Sequence, residues 1–325
     1  MHTLGIDNGT LSARLLPLGA SLVDLRLVGH DRPLILGFED EAEYRVGEHY
    51  AGAVIGRHAN RISGGRAMID GRPFSLPLNG GAHHLHGGAT GLARQVWRVV
   101  EQSPTRVVLA LDSPDGHEGY PGRLEALASY EIVEPATLRL SFEAVCDRPS
   151  LLNLCHHAYF NLSGADDILD HQVQIVADRY TVASDDLVPT GEVRAVEGSA
   201  FDLRQPRAVG EARQGLPAGF NHNYCLAETV RPEPAFAARV TVPGGPALEI
   251  WTTQTGVHFY DGYKLRQDLR GLDGRRYGPN AGLCLEAQNW PDAVNHPHFP
   301  SAEIRPGQVY RQVTEYRFRE QGEEA

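Results

Sequence analysis

Short segments of strand-forming residues, separated by turn residues, recur along the whole chain and constrain its fold most. The segments with strand composition are residues 96–101, 106–111, 124–132, 137–145, 172–176, 238–242 and 248–253. The clearest turns are Asp70-Gly71, Asn79-Gly80-Gly81, Ser113-Pro114-Asp115-Gly116, Pro121-Gly122 and Gly244-Gly245-Pro246. No long amphipathic helix and no alternation of helices with strands is visible. The pattern therefore predicts an all-β, antiparallel protein and argues against doubly wound nucleotide-binding folds.

The chain length of 325 residues exceeds the usual size of one domain, but large β-sandwiches and barrels reach such lengths as single units. No linker or shift in composition divides the chain, and 42% of its residues are apolar, which is enough for a sizeable core. We therefore expect one domain over residues 1–325. Residues 320–325 are polar, and we expect them to form a frayed tail.

The charge balance is acidic, with 41 Asp and Glu residues against 30 Lys and Arg residues and a net charge of −11. Nucleic acids and anionic membranes bind basic surfaces, so neither is an expected partner. Lys264 is the only lysine. It lacks the glycine-rich loop and the following Ser or Thr of a phosphate-binding P-loop, which excludes that class of nucleotide site.

The cysteines are Cys146, Cys155, Cys225 and Cys284, and no two of them form a Cys-x-x-Cys pair. Three of them lie in apolar runs, where a free cysteine behaves as a small hydrophobic residue. The N-terminus lacks a basic region followed by an apolar stretch, and no apolar run reaches the length of a membrane span. We therefore expect a cytoplasmic protein.

Residues 283–294, Leu-Cys-Leu-Glu-Ala-Gln-Asn-Trp-Pro-Asp-Ala-Val, place a carboxylate on a predicted strand. Alternation puts Glu286 on the same face as Cys284 and Gln288. Amides can recognise sugar hydroxyls, the indole of Trp290 can cover a pyranose face, and a partly desolvated Glu can act as a base. The alternative interpretation is a surface strand on which Glu286 is solvated, with Trp290 buried in the core.

Residues 153–162, Asn-Leu-Cys-His-His-Ala-Tyr-Phe-Asn-Leu, contain two adjacent histidines. By alternation His157 shares a face with Cys155 and Tyr159, and His156 lies on the opposite face. A histidine close to a glutamate forms an acid–base pair. Paired histidines are also common as core or hydrogen-bonding residues, so this segment alone leaves both interpretations open.

A third histidine cluster lies in residues 79–88, Asn-Gly-Gly-Ala-His-His-Leu-His-Gly-Gly, and suggests a metal site as an alternative. On a strand His84 and His86 would share a face and could both bind zinc. No His-Glu-x-x-His motif supports a zinc hydrolase, and the run begins with a flexible turn. We expect no metal site here.

Four segments taken together resemble the aldose 1-epimerases, also called galactose mutarotases. They are residues 56–62 (Gly-Arg-His-Ala-Asn-Arg-Ile), 79–88, 153–162 and 283–294. Weaker matches occur in residues 36–38, 119–122, 188–192, 201–204 and 221–224. The matches follow the family order over nearly the whole chain. The resemblance implies a single antiparallel β-sandwich of the galactose mutarotase type.

The resemblance also implies an isomerase that interconverts the α and β anomers of a free monosaccharide through its open-chain form. A base removes the proton of the anomeric hydroxyl while an acid protonates the ring oxygen, and the roles then reverse. The two groups are expected on opposite sides of the sugar. No metal, cofactor or covalent intermediate is implied, and the aldose is the expected partner.

Individual residues match the family pattern. Glu286 matches the general base, and His157 matches the general acid. His86 matches a histidine that forms hydrogen bonds near the anomeric oxygens. Asn60 and Arg61 match the substrate-binding pair, and a guanidinium offers five donors to adjacent hydroxyls. A structural salt bridge is the alternative role for Arg61.

Two positions depart from the family pattern. Asn221 stands where the family usually has Asp, and His258 stands where it often has Gln. An ionised Asp only accepts hydrogen bonds, whereas Asn offers one accepting oxygen and a donating amide. Both departures fall among residues that recognise the sugar, so they leave the preferred aldose open.

Two other functions remain as alternatives. A hexose 6-phosphate mutarotase would need a cationic cluster near the site, for which Arg57 and Arg61 are candidates. A non-catalytic sugar-binding or sensing domain is the other alternative. A pure binder needs no acid–base pair, so the presence of both Glu286 and His157 argues against it.

Overall fold

The computed structural model describes residues 2–216 and 218–319, and its regular structure is mostly antiparallel strands. The first fourteen strands are β1 (Leu4–Asp7), β2 (Leu11–Leu16), β3 (Ser21–Leu27), β4 (Val54–Ile55), β5 (Arg61–Ile62), β6 (Arg66–Ile69), β7 (Arg72–Ser75), β8 (His84–Leu85), β9 (Arg98–Gln102), β10 (Arg106–Ser113), β11 (Leu124–Val133), β12 (Thr137–Cys146), β13 (Ser150–Leu151) and β14 (Cys155–His156). The remaining strands are β15 (Gln172–Ile175), β16 (Arg179–Ala183), β17 (Pro189–Ala195), β18 (Arg207–Ala208), β19 (Asn221–Cys225), β20 (Ala235–Thr241), β21 (Ala247–Thr252), β22 (Gly256–Tyr260), β23 (Leu269–Arg270), β24 (Arg276–Tyr277), β25 (Cys284–Gln288), β26 (Glu303–Ile304) and β27 (Tyr310–Arg319).

Helices are short and peripheral in the described part of the chain. The α-helices are α1 (Glu41–Arg45) and α2 (Val209–Ala212), and the 3₁₀ turns are Ser63–Gly65, Leu92–Arg94, His117–Gly119, Arg213–Gly215, Leu272–Gly274 and Ala293–Asn295. Across residues 2–216 and 218–319, no helix combines the length and the apolar character that a membrane crossing requires. The predicted all-β class is confirmed.

The larger sheet has nine strands in the order β18-β15-β20-β21-β27-β12-β11-β10-β9. Its strands alternate between buried and accessible residues, as in β12, where Leu138, Leu140 and Phe142 are buried. This period of two is the expected signature of a sheet with one face against the core. All seven segments predicted as strands belong to this sheet, with ends that differ by at most three residues, so those predictions are confirmed.

A second sheet has five strands in the order β17-β16-β19-β22-β25. Its inner face contributes Tyr224, Phe259 and Leu285 to the same apolar cluster that contains Leu140 of the nine-stranded sheet. The two sheets thus enclose one core, which confirms the predicted β-sandwich. The other face of the five-stranded sheet carries polar side chains.

Register explains which polar residues meet on that face. Asn223 of β19 pairs with His258 of β22, and His258 pairs with Glu286 of β25. Directly paired residues in antiparallel strands point to the same side of a sheet. Glu286 therefore lies on the face that carries His258, and its neighbour Leu285 points into the core.

Short strand pairs hold three further segments against this face. β14 pairs with β4, and the residues after β14 return to β25 through a bridge between Phe160 and Leu283. β5 pairs with β8, which brings Arg61 next to Leu85. These pairings carry His157, Arg61 and His86 to the site, although each is far from Glu286 in sequence.

Arg57 is a structural residue. Its guanidinium is 2% exposed and donates hydrogen bonds to the carbonyl oxygens of Ser113 at 2.8 Å, Pro121 at 3.2 Å and Gly122 at 2.7 Å. Arg57 is therefore not available as the phosphate-binding candidate that the hexose 6-phosphate alternative named. The tail predicted for residues 320–325 lies outside the described residues, and the one-domain organisation stays a prediction.

Candidate active site

A cavity of about 210 Å³ opens on the polar face of the five-stranded sheet. All seven predicted site residues line it, namely Asn60, Arg61, His86, His157, Asn221, His258 and Glu286. The other lining residues are Glu48, His49, Tyr50, Leu85, Tyr159, Tyr260 and Lys264. The fold thus brings together residues that are separated by more than two hundred positions in sequence.

The carboxylate and the imidazole lie side by side at the base of this cavity. Oε1 of Glu286 is 3.8 Å from Nε2 of His157, and the two residues are 2% and 5% exposed. The expectation that they flank a sugar on opposite sides is wrong, because β14 packs directly against β25. Neighbouring groups of this kind can instead reach two oxygens bonded to one carbon, such as the hydroxyl and ring oxygens of an anomeric centre.

Burial determines the protonation of this pair. Desolvation raises the pKa of Glu286 to about 8, against smaller opposing effects of the Cys155 thiol and the Arg61 charge. Desolvation also lowers the pKa of His157 to about 4, partly offset by a backbone hydrogen bond. Between these two values the pair holds a single proton, and it is the carboxyl group that carries it in the free protein.

Two buried thiols contact the pair. Sγ of Cys155 is 3.6 Å from Oε2 of Glu286, and Sγ of Cys284 is 3.5 Å from Nδ1 of His157. Desolvation raises the pKa of both thiols well above the usual value, so each remains protonated and can donate. Their apolar surroundings indicated only small hydrophobic residues, and alternation placed Cys155 with His157 and Cys284 with Glu286, so neither contact was predicted.

The predicted metal alternative finds little support in the histidine run. His84 is held by the Tyr120 hydroxyl at 2.8 Å and by the Pro77 carbonyl at 2.7 Å, so it does not converge with His86. Within residues 2–216 and 218–319, the group with metal-like spacing is His157, Cys284 and Glu286, whose ligand atoms lie within 4.8 Å of one another. Two of its three members form the acid–base pair.

His86 is oriented by the backbone. Its Nδ1 accepts a hydrogen bond from the Asn60 N–H at 3.1 Å, so the neutral ring carries its proton on Nε2. The ring centroid lies 5.4 Å from that of His157, and burial lowers the pKa of His86 well below the usual value. His86 thus offers a neutral N–H donor beside the reacting pair.

A relay of hydrogen bonds links three of the sugar-binding candidates. The Arg61 N–H donates to Oδ1 of Asn60 at 2.9 Å, and Nδ2 of Asn60 lies 3.4 Å from Nδ1 of His258. Nε2 of His258 then donates to Oδ1 of Asn221 at 2.7 Å. Because the first donor is a backbone N–H, which cannot accept, the direction of the whole relay is fixed. Asn221 ends the relay with its amide N–H groups, which are hydrogen-bonded to the Tyr263 hydroxyl.

Aromatic rings form the cavity wall, but Trp290 is not among them. Trp290 is 3% exposed, donates to the Thr255 carbonyl at 2.9 Å and packs against Phe299, so of its two alternative roles the buried core indole is the one observed. Tyr50 lies 4.9 Å from the His86 ring and Tyr159 lies 5.1 Å from the His157 ring. Alternation could have identified Tyr159 through His157, whereas no sequence signal pointed to Tyr50.

A larger cavity of about 640 Å³ lies elsewhere, between Leu152, Gln254 and Tyr310. None of the seven predicted site residues lines it. Two of its polar side chains are bonded to protein groups, since Gln254 donates to the Tyr310 hydroxyl at 3.4 Å and that hydroxyl donates to Gln312 at 2.6 Å. Size alone therefore does not identify the site, and it is the smaller cavity that contains Glu286 and His157.

Comparisons with known proteins agree with this geometry. A family model described as aldose 1-epimerase matches residues 2–317. The galactose mutarotase of Rattus norvegicus is 42% identical over 294 residues, which cover 89% of this chain and 85% of the relative. The aldose 1-epimerase of Escherichia coli K12 is 31% identical over 326 residues, covering 96% and 93%. An aldose epimerase homologue from C. elegans superimposes with a TM-score of 0.92 at 31% identity, covering 98% of this chain and 99% of that structure.

Proposed function

The chain belongs to the aldose 1-epimerase family, whose reaction is the interconversion of sugar anomers, and we propose that Glu286 and His157 are its catalytic base and acid. Its activity is that of an isomerase, a mutarotase. The observation that supports the residue roles is the 3.8 Å approach of the two side chains inside a cavity lined by sugar-binding residue types.

The single proton of the pair suits this reaction. The reactive form arises when the proton of the pair passes from Glu286 to His157, and the ionised Glu286 then takes the hydrogen of the anomeric hydroxyl while His157 gives its proton to the ring oxygen. The C1–O5 bond breaks, and the pair is left with a neutral imidazole and a carboxylic acid. Rotation about C1–C2 exposes the other carbonyl face, and the two transfers then run in reverse. One proton enters and leaves the pair in each cycle, so no external acid or base is consumed.

The surrounding donors complete the mechanism. The Nε2–H of His86 stabilises negative charge that develops on the anomeric oxygen as its proton leaves, because a fixed donor needs no reorganisation at that moment. In this proposal the remaining hydroxyls are bound by Arg61, Asn60, His258 and Asn221.

A polarimetric assay with freshly dissolved α-galactose, glucose, xylose, arabinose and fucose tests the proposal. Rotation that relaxes no faster with the protein than without it would refute the proposal.

The acid–base pair predicts a bell-shaped dependence of kcat/KM on pH. Below about pH 4 both groups are protonated and the base is lost, and above about pH 8 neither is protonated and the acid is lost. Activity should therefore rise through about pH 4, remain flat, and fall through about pH 8. Initial rates measured from pH 3.5 to 9.5, corrected for spontaneous mutarotation, test this profile.

The pH profile of a His157→Gln variant provides the control. Since Gln has no titratable proton, the acidic limb should disappear, and the residual activity should rise rather than fall through about pH 8 as Glu286 ionises to the free base. An acidic limb that is unchanged in the variant would assign that ionisation to another group.

Replacing Asn221 by Asp should change the ranking of sugars. Asp still accepts from Nε2 of His258, but it turns the end of the relay from a donor into an acceptor. We expect KM and the order of preference among the five sugars to shift toward galactose, with a smaller change in kcat for the best substrate. An unchanged KM for all five sugars would show that Asn221 does not contact the substrate.

We also propose a cytoplasmic location and a partner set limited to small sugars. The four cysteines are free and buried, as in proteins of reducing compartments. The net charge of −11 disfavours nucleic acids and anionic membranes as partners.

A further inference from the structure

Among the residues that the structure describes, three tyrosines line the cavity, and one of them has an accessible ring. Tyr159 is 2% exposed, and its hydroxyl donates to the His49 carbonyl at 3.1 Å. Tyr260 is 8% exposed, and its hydroxyl accepts the Lys264 N–H at 3.0 Å. Tyr50 is only partly buried. The Tyr50 ring therefore has surface left with which to contact a ligand of the cavity.

The Tyr50 ring lies beside the groups proposed for the chemistry. Its centroid is 4.9 Å from that of His86 and 6.4 Å from that of His157. A pyranose carries its hydroxyls around the rim and C–H bonds on its faces, so each face is largely apolar and can pack on an aromatic ring. A sugar whose anomeric centre lies at Glu286 and His157 is therefore within reach of Tyr50.

The backbone around Tyr50 is held in an unusual conformation. Tyr50 has a φ of 53°, in the left-handed region that bulky residues rarely adopt. At Gly52, with a φ of 64°, a Cβ would lie 1.9 Å from the Leu22 carbonyl oxygen. The Gly52 N–H donates to the His157 carbonyl at 2.8 Å. Such a conformation persists only where the surroundings determine it, so the loop that carries Tyr50 is fixed against the segment of His157.

Arg94 contacts the Tyr50 ring from outside the cavity. Its guanidinium lies over the ring, with Cζ 4.5 Å from the centroid, which is a cation–π contact. Its N–H groups also donate to the carbonyl oxygens of Tyr44, at 2.7 Å, and of Gly47. Arg94 is not one of the residues that line the cavity. Any effect of Arg94 on a bound sugar therefore has to pass through this loop, and most directly through Tyr50.

We propose that Tyr50 binds the apolar face of the sugar ring and that Arg94 is a positioning residue, which acts on the sugar through Tyr50. The proposal rests on the mutarotase function proposed for this cavity and adds the contact that orients the sugar in it. The hydrogen-bonding side chains recognise hydroxyls at the rim of the ring. Tyr50 fixes the plane of the ring, so that C1 is presented to Glu286 and His157. The ligand is an aldose in its pyranose form.

Two substitutions of Tyr50 test the contact, with the best substrate of the five sugars. Tyr50→Ala removes the ring, whereas Tyr50→Phe keeps the ring and lacks only the hydroxyl. We expect KM to rise about tenfold or more in Tyr50→Ala, the effect of losing one apolar contact in a binding pocket. The change in kcat should be smaller, because the contact is made before the transition state as well as in it. Tyr50→Phe should retain the KM of the parent.

A double-mutant cycle tests the role of Arg94. Arg94→Met keeps most of the side-chain length but loses the charge and the donors, and should raise KM about fivefold through misplacement of the Tyr50 ring. In the Tyr50→Ala background the same substitution should change KM by less than about twofold, because the ring through which it acts is gone. Arg45→Met is the matched control, since Arg45 is an exposed residue of the same segment and pairs with Glu41, and it should leave KM unchanged.

Circular dichroism and thermal unfolding show whether each variant folds. If Arg94→Met does not fold, Arg94→Lys takes its place in the cycle, with a smaller rise in KM that should likewise vanish in the Tyr50→Ala background.

Three results would overturn the inference. They are a KM in Tyr50→Ala within about twofold of the parent, an equal loss in Tyr50→Phe and Tyr50→Ala, and an effect of the Arg94 substitution that is as large without the ring as with it. A parent protein that turns over none of the sugars would instead refute the proposed function itself.

Discussion

Replacing Glu286 by Gln should lower kcat by roughly 10²–10⁴, the range by which a positioned acid or base accelerates a reaction. Gln has the shape of Glu but cannot take up the proton of the anomeric hydroxyl. The sugar should still bind, because Arg61 and Asn221 are untouched, so KM should change little. Polarimetry measures the loss, and calorimetric titration with the preferred sugar measures the remaining affinity.

A measurement of folding stability distinguishes this loss of catalysis from misfolding of the Glu286→Gln variant. The pKa of Glu286 is raised from 4.5 in the unfolded chain to about 8 in the fold, so the folded state loses stability as the pH rises from 4.5 toward 8. Gln does not ionise, and the variant should therefore be at least as stable as the parent at pH 7.

Glu228→Gln, which changes an exposed carboxylate paired with Arg179, is the matched control and should retain full activity. A Glu286→Gln variant within tenfold of the parent would mean that another residue is the base.

Replacing Arg57 by Met should lower the free energy of unfolding by about 3 kcal/mol or more. Met fills most of the same space but leaves the carbonyl oxygens of Ser113, Pro121 and Gly122 buried without donors. An unsatisfied buried acceptor costs about 1–3 kcal/mol, and several are created together. Urea unfolding followed by tryptophan fluorescence measures the change.

Arg98→Met is the control for this variant, because Arg98 is an exposed residue of β9 and its loss removes only surface charge. Its unfolding free energy should stay within about 0.5 kcal/mol of the parent. A loss below about 1 kcal/mol in Arg57→Met would contradict a structural role for the buried guanidinium and would return Arg57 to the candidates for ligand binding.

Periodicity predicted most of the fold because it is a local signal. Strands such as β11 and β12 show their alternation in ten consecutive residues, so both their existence and their buried faces could be read directly. Alternation also gave the correct faces for Glu286 and for His157. Two-residue strands such as β4 and β14 carry too little pattern to be recognised, although they bring His157 to the site.

Relations between distant segments could not be predicted in this way. That Glu286 and His157 lie side by side depends on the packing of β14 on β25, and the burial of Trp290 depends on Phe299 and Thr255. Lys264 was noted only as the single lysine, since nothing in its local sequence shows that its side chain reaches the cavity. Membership in the site is a property of tertiary contacts, which the residue pattern of one segment does not contain.

The relay from Asn60 through His258 to Asn221 has a consequence for how selectivity could change over time. The direction of its hydrogen bonds is set by the backbone N–H of Arg61, and no side-chain substitution can turn that donor into an acceptor. The residue at position 221 decides whether this end of the relay presents a donor or an acceptor to the cavity. A lineage of such enzymes could therefore exchange one sugar class for another by a single replacement at position 221, while the catalytic pair and the rest of the scaffold are preserved.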